Sequence, residues 1–455
     1  MLHRRDNRSH RPTGTSRLFE SSRTGRYVHK LKPAIGFLLF LICGVILLSV
    51  LTMKSSPEEF RPQPIQSVSP VIISPSKIRG PAVSPVIAVD AIGPPANSVD
   101  IAVVLVCFNR PDYVRRTVDS LLTIWPENSS IGPARLHLTI SQDGDFKPVT
   151  SVIELLLKDH DNVQHLRFNY DHDKWQASYP EQFLQDFSVY YRISAHYQFI
   201  LNDFLFNKNN SHLLFIEDDM EFAPDFLSYF AALANPLIRW QSSTYCVSAW
   251  NDNGRENLVS NPNVLYRTDV FPGLGWMLTR KMAHELYEKW PAGFWDDWLR
   301  APEQKRGRSC VYPEMNRVKT FGSEGSSHGE FYAQYLERIQ LNTVNIDWLK
   351  QSSAIPETLD PIKFEARLYD DLKKATTITR SEMKGLLDGS KPLGDGPYRI
   401  YYTNEAEYID IAIATQIMPD WKSGLPRTSY AGIVPIRMLK KPMLYISPVV
   451  KSSGS

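Results

Sequence analysis

Short apolar runs alternate with amphipathic stretches through the first half of the body of this chain. Ile101–Cys107 is apolar, followed by Phe108-Asn109-Arg110-Pro111 and then by spacing that predicts a helix through Leu121 and Leu122. Leu136–Ile140 reads as a second strand, ending in Ser141-Gln142-Asp143-Gly144-Asp145, and Val163–Phe168 as a third. Tyr190–Phe206 has helical spacing, with Ile193, Tyr197, Ile200 and Phe204 on a common face. Leu213-Leu214-Phe215-Ile216 then reads as a buried strand that breaks into Glu217-Asp218-Asp219. Strand, helix, strand, helix, strand predicts an α/β fold: a mainly parallel sheet with helices on both faces. From about Asn342 the character changes. Ile400–Thr403, Ile409–Ala414 and Met443–Ile446 are strand-like with charged connections, which predicts a smaller lobe packed on the first.

The pattern at the amino end is of another kind. Pro33 through Met53 carry no charge, and as a helix they would just cross a bilayer core of about 30 Å. Arg4, Arg5, Arg8, Arg11, Lys30 and Lys32 are among the cations that precede them, against only Asp6 and Glu20, which holds the amino end in the cytosol. A cleaved signal peptide has an apolar region of about 7–15 residues, shorter than this one. Prolines from Pro57 to Pro95 break any helical period and predict an extended tether. The expected organisation is a cytosolic basic tail (1–32), a transmembrane signal anchor (33–53), a Pro-rich stem (54–98), a catalytic domain (99–341) and a smaller lobe (342–450), the last two luminal. Golgi-resident enzymes have this layout, and so do membrane-tethered receptors.

Net charge changes the picture little. At +2, with no basic stripe, the chain is not suited to nucleic acid. Only Cys107, Cys246 and Cys310 follow the apolar span, so one thiol stays unpaired. Cys107, inside an apolar run, reads as buried; Cys246 and Cys310 are the better candidates for a bridge. Asn128-Ser129-Ser130 and Asn209-Asn210-Ser211 have the glycosylation sequon pattern.

The acids after Ile216 carry the chemistry. Open α/β sheets bind ligands at the carboxyl edge, where these lie. Three adjacent anions require a positive partner, and a divalent metal carrying a diphosphate supplies one. The plain alternative is a solvated acidic turn capping the helix that begins near Pro224. No Gly-rich phosphate loop is present, so metal and side chains must hold the anion. Arg110, at the first strand's carboxyl end, is placed for that. Asp143, at the second, is placed to accept an imide N–H such as that of uracil. Together these residues favour a nucleotide-sugar site.

Four further tracts make a resemblance specific: Cys246-Val247-Ser248-Ala249-Trp250-Asn251-Asp252-Asn253-Gly254, Leu265 to Trp276, Phe294-Trp295-Asp296-Asp297-Trp298, and Phe321-Gly322-Ser323-Glu324-Gly325-Ser326-Ser327-His328-Gly329. They resemble the N-acetylglucosaminyltransferase I family, from about Ile101 to Arg427. The wider family also holds the transferase that extends O-linked mannose. The resemblance implies a GT-A type fold and an inverting reaction. In it GlcNAc passes from UDP-GlcNAc to the 2-hydroxyl of a mannose on a mannose-terminated N-glycan, at the Golgi membrane. It implies that Asp219 binds Mn2+, Asp218 faces the ribose and Glu217 lies near the donor sugar. Asp143 matches the uracil-contacting acid, Arg110 and His196 match donor-site residues, and Asp296 matches the general base. Ser327 falls in a loop that closes over donor, and Cys246 with Cys310 match a cysteine pair. A second family pair is replaced here by Phe108 and Gly144.

The reaction asks for such residues. Direct displacement at an anomeric carbon needs one base for the acceptor hydroxyl, and a carboxylate between Trp295 and Trp298 is expected to be partly desolvated. The Gly-Ser loop from Gly322 to Gly329 is suited to a lid that excludes water. His196, on an amphipathic helix, reads equally as a satisfied core imidazole. A tethered lectin without turnover is the reading from another class.

Overall fold

The computed structural model describes residues 99–170, 181–323 and 332–449. The predicted tail, anchor and stem lie outside the described residues, as does Ser327. Among the described residues no helix is long and apolar enough to cross a membrane.

The chain opens with strand β1 (Val99–Cys107), helix α1 (Pro111–Thr123), β2 (Ala134–Asp143), β3 (Gln164–Phe168), the long helix α2 (Glu181–Phe206) and β4 (His212–Glu217). The predicted strand–helix alternation is present. Pro111 starts α1 where its missing N–H costs nothing, and Val114, Thr117, Val118 and Leu121 form its buried stripe. The four strands lie parallel in the spatial order β3–β2–β1–β4. Chain direction across the sheet therefore reverses between β1 and β4, the position where open sheets leave a crevice at their carboxyl edge.

Beyond β4 the sheet becomes mixed. A short strand β5 (Met220–Phe222) and helix α3 (Phe226–Arg239) lead to β6 (Thr244–Ser248), β7 (Leu265–Thr268), β8 (Trp276–Thr279), the short helix α4 (Trp295–Arg300), β9 (Ser309–Pro313) and β10 (Val318–Thr320). The sheet continues past β4 as β8–β6–β9–β7, with β8 antiparallel to both its neighbours. A disulfide joins Cys246 in β6 to Cys310, its register partner in the parallel strand β9, and Cys107 is a buried free thiol.

Both faces of β1 and β4 are buried, as their near-continuous apolar runs require. Val103, Leu105, Leu214 and Ile216 pack under α1 and α3, while Ala102, Val104, Leu213 and Phe215 pack under α2. Register then sets the height of the polar residues. Glu217 pairs with Val106 and Gln142 with Cys107, so Asp143 and Glu217 emerge at one edge.

The carboxyl-terminal part builds a second sheet from β11 (Tyr398–Tyr402), β12 (Val434–Arg437) and β13 (Met443–Pro448), with β13 in the centre. One expectation is corrected here. Ile409–Ala414 is not a strand but lies within helix α5 (Glu405–Thr415). Its isoleucines alternate with other residues and so mimic a strand. The side chains that are buried are Tyr408, Ile411, Ala412 and Thr415, a helical stripe, while Ile413 is exposed. Asn404 settles the matter locally, because its side chain accepts the Glu407 N–H at 3.0 Å and caps the helix.

Candidate active site at the carboxyl edge of the sheet

Glu217 is the last residue of β4, and Asp218 and Asp219 form the turn into β5. Thr117 of α1 pins that turn: its hydroxyl donates to the Asp218 carbonyl at 2.7 Å and accepts the Met220 N–H at 3.1 Å. From the other side, the Phe321 N–H donates to the Asp219 carbonyl at 2.9 Å. Asp218 is therefore buried, and Glu217 and Asp219 are half-buried, where a solvated helix cap would stand open to water. Arg110, just past β1, pairs with Asp218 and lies 3.3 Å from Asp219 Oδ2. Glu217 Oε1 accepts a 2.7 Å hydrogen bond from the Tyr197 hydroxyl.

One guanidinium does not balance three carboxylates. Burial, then the neighbouring Asp219, pushes Glu217 up to about 7. Burial likewise raises Asp218 to about 6 against the pull of Arg110, and it raises Asp219. Asp219 Oδ1 is buried with no hydrogen-bond partner among the described residues. A buried, partnerless carboxylate oxygen in a site short of positive charge is what a divalent cation satisfies, so the residues fit a metal held by Asp219. Among the described residues no cluster of three or more His, Cys, Asp or Glu side chains could hold one, and a bound phosphate or water can supply further ligand atoms. Gly322 lies directly over this carboxylate, and a Cβ there would collide with it.

The second half of the site surrounds Asp143. Arg192 of α2 forks onto its carboxylate, with Nη2 donating to Oδ1 at 3.0 Å. His196, one turn further on, shares a 2.7 Å hydrogen bond with the Ser141 hydroxyl and stacks on Phe168 at 5.2 Å. Burial, with Arg192 nearby, lowers its imidazole to about 3, so His196 is a buried, neutral imidazole. The two halves meet at the end of β1, where burial, Asp218 and Asp143 all raise the Cys107 thiol.

Asp296 sits in the first turn of α4. Trp295 is buried and stacks on Tyr197 at 4.3 Å and on Trp276 at 5.7 Å. Trp295 faces the core, and the Asp296 side chain beside it is half-buried, at 45 % exposure. Arg300 Nη1 bridges Asp296 and Asp297, each at 2.8 Å, and Lys422 approaches Asp297 at 3.2 Å. Burial, then Glu217, drives the Tyr197 phenol well above its ordinary value, and Asp296 and Asp219 add to the rise.

Arg192, Tyr197, Arg300 and Lys422 are site partners that the sequence pattern does not single out. Tyr197 shares the apolar face of its helix and reads as core, and nothing in its spacing marks the hydroxyl. Arg192 carries one usable signal: it lies one turn before His196 on the same helix.

Fold and site together define an α/β protein with an acidic, arginine-balanced ligand site at the switch point of its sheet. The model of the GNT-I family matches residues 77–453. An alpha-1,3-mannosyl-glycoprotein 2-beta-N-acetylglucosaminyltransferase of Arabidopsis thaliana is 38% identical over 337 residues, covering 74% of this chain and 71% of that protein. The chain belongs to the GNT-I family. Solved structures align far more loosely. The mannosyltransferase PcManGT from Pyrobaculum calidifontis, in complex with GDP-Man and Mn2+, is 12% identical with a TM-score of 0.32, covering 66% of this chain and 80% of that one. Apo mouse xyloside xylosyltransferase 1 is 9% identical with a TM-score of 0.29, covering 54% and 96%. Likenesses this loose carry no functional weight.

Proposed function

We propose that the chain is an inverting, metal-dependent glycosyltransferase of GT-A type. It moves GlcNAc from UDP-GlcNAc to the 2-hydroxyl of the α1,3-arm mannose of an N-glycan, in β1,2 linkage. Its family makes it an N-acetylglucosaminyltransferase that acts on mannosyl glycoprotein. The finer reading adds a type II anchor at 33–53 and a catalytic body in the Golgi lumen.

The observation that carries this reading is the partnerless Asp219 oxygen beside the Arg110–Asp218 pair, at the sheet's switch point. Asp219 would hold Mn2+, which when bound neutralises the charge that develops on the departing diphosphate. Arg110 adds a second positive group beside that anion. Asp143 accepts the uracil imide N–H, and Asp218 and Glu217 face the ribose and the donor sugar. Asp296, half-buried at the start of α4 and oriented by Arg300, takes the proton of the acceptor hydroxyl.

The test is transfer itself. The full chain with UDP-GlcNAc, Mn2+ and a five-mannose N-glycan should add one GlcNAc, read by mass analysis of the product. No transfer, with donor and metal demonstrably bound, overturns the proposal. An O-mannosyl acceptor in the same panel separates the two acceptor classes.

A further inference from the structure

Arg192 reaches from α2 to two strand ends at once. Its Nε and Nη2 engage both oxygens of Asp143, at the end of β2. The same guanidinium lies 4.0 Å from the ring centroid of Phe108, one residue past β1. Gly144 completes the seat: its φ is +75°, and a Cβ there would come within 3.3 Å of Arg192 Nη2. Nη1 makes no hydrogen bond to the described residues. The acid end of the pair is buried, at 5%, whereas the guanidinium is 31% exposed.

This is a hydrogen-bond pattern and not only an ion pair. A carboxylate flanked by N–H donors is complementary to a ring edge that offers one N–H flanked by carbonyl oxygens. Uracil has that edge. Cytosine offers a bare ring nitrogen beside an amino group, so its lone pair meets the carboxylate and its amino hydrogens meet the guanidinium. We propose that Arg192 is a specificity-determining positioning residue of the donor site, which fixes Asp143 as an acceptor beside its own N–H donors and so selects uridine over cytidine nucleotides. The inference rests on the uridine-nucleotide donor of the proposed function. Burial alone drives the Asp143 carboxyl upward, and Arg192 is the group that opposes the rise. Without it, the buried acid tends to its neutral form, which donates, and donation suits the cytosine ring nitrogen.

Competition of UDP and CDP for the full chain in the presence of Mn2+ tests this, with affinities measured by calorimetry for wild type, Arg192→Gln and Arg192→Lys. Wild type should favour UDP by at least about tenfold, the scale of one mispaired buried polar group. Arg192→Gln should bring the two affinities within about threefold, mainly by weakening UDP. Arg192→Lys, which keeps the charge and a donor, should recover most of the preference, which a merely structural role would not require. A Gln variant that loses UDP and CDP in equal proportion, or keeps the wild-type ratio, overturns the role of Arg192 while leaving the donor reading intact. Wild type that binds UDP and CDP alike overturns both.

Discussion

The Tyr197 hydroxyl donates a 2.7 Å hydrogen bond to Glu217 Oε1 while its ring stacks on Trp295, the residue before Asp296. One side chain of α2 thus couples the strand that ends in the acid triplet to the helix that presents the proposed base. Tyr197→Phe keeps the stack and removes the hydroxyl. Turnover should fall about tenfold, the scale of one buried hydrogen bond to a charged group, with the KM for donor nearly unchanged. Steady-state kinetics at saturating metal check it; an unchanged kcat counts against the coupling.

Asp296→Asn should reduce turnover by at least about a hundredfold, the smaller end of what a positioned base contributes, with UDP-GlcNAc binding retained. Asn keeps the size of the side chain and removes only its capacity to take a proton. Turnover assays paired with calorimetric donor binding separate this from misfolding. A lectin without turnover would lose nothing.

Asp219→Asn should abolish the Mn2+ dependence of UDP binding. It should also make the metal-free protein more stable near neutral pH, because a buried charge with an unsatisfied oxygen is removed. Titration of Mn2+ against UDP affinity, and thermal melts in chelator, give the two readouts. A variant destabilised at neutral pH with metal response intact would contradict the assignment.

The acid triplet sets a pH dependence whose sign comes from its raised values. Between about 4.5, the ordinary glutamate value, and about 7, folded Glu217 holds a proton that the unfolded chain has released. The folded state therefore binds more protons, and stability falls as pH rises through that window. For one proton the slope is at most about 1.4 kcal/mol per pH unit. Metal-free protein should melt at a lower temperature at pH 7.5 than at pH 5.5, and Mn2+ with UDP should reduce the difference. Equal melting temperatures without metal would show that these acids are not buried as charges.

The Cys246–Cys310 bridge closes a loop with a sequence separation of 64 between two central strands. Loop-closure entropy for that length corresponds to about 4 kcal/mol. Cys246→Ser should lower unfolding free energy by an amount of that order in denaturant titrations, and reductant should do the same to wild type. A loss under about 1 kcal/mol would show that the strands hold register without the bridge.

Local composition specified much of this protein. The apolar runs of β1 and β4 are buried on both faces, and runs of that kind can be satisfied only inside a two-faced sheet. The abrupt polar ends of β1, β2 and β4, Arg110, Asp143 and Glu217-Asp218-Asp219, announced a site because polar groups gather where strands leave the core. The helix at Glu405–Thr415 was harder to read, since alternating isoleucines satisfy either period and the Asn404 cap is a single local contact. Tertiary structure alone decided which charges meet. Arg110 reaches Asp218 across 108 positions and Tyr197 reaches Glu217, at the end of β4, from helix α2, and such pairings depend on strand register and helix rotation. It also decided that Trp295 turns into the core and leaves Asp296 half-buried beside Arg300. Side-chain direction at a helix start depends on what the neighbouring elements leave room for, and that is a property of packing rather than of any stretch of residues.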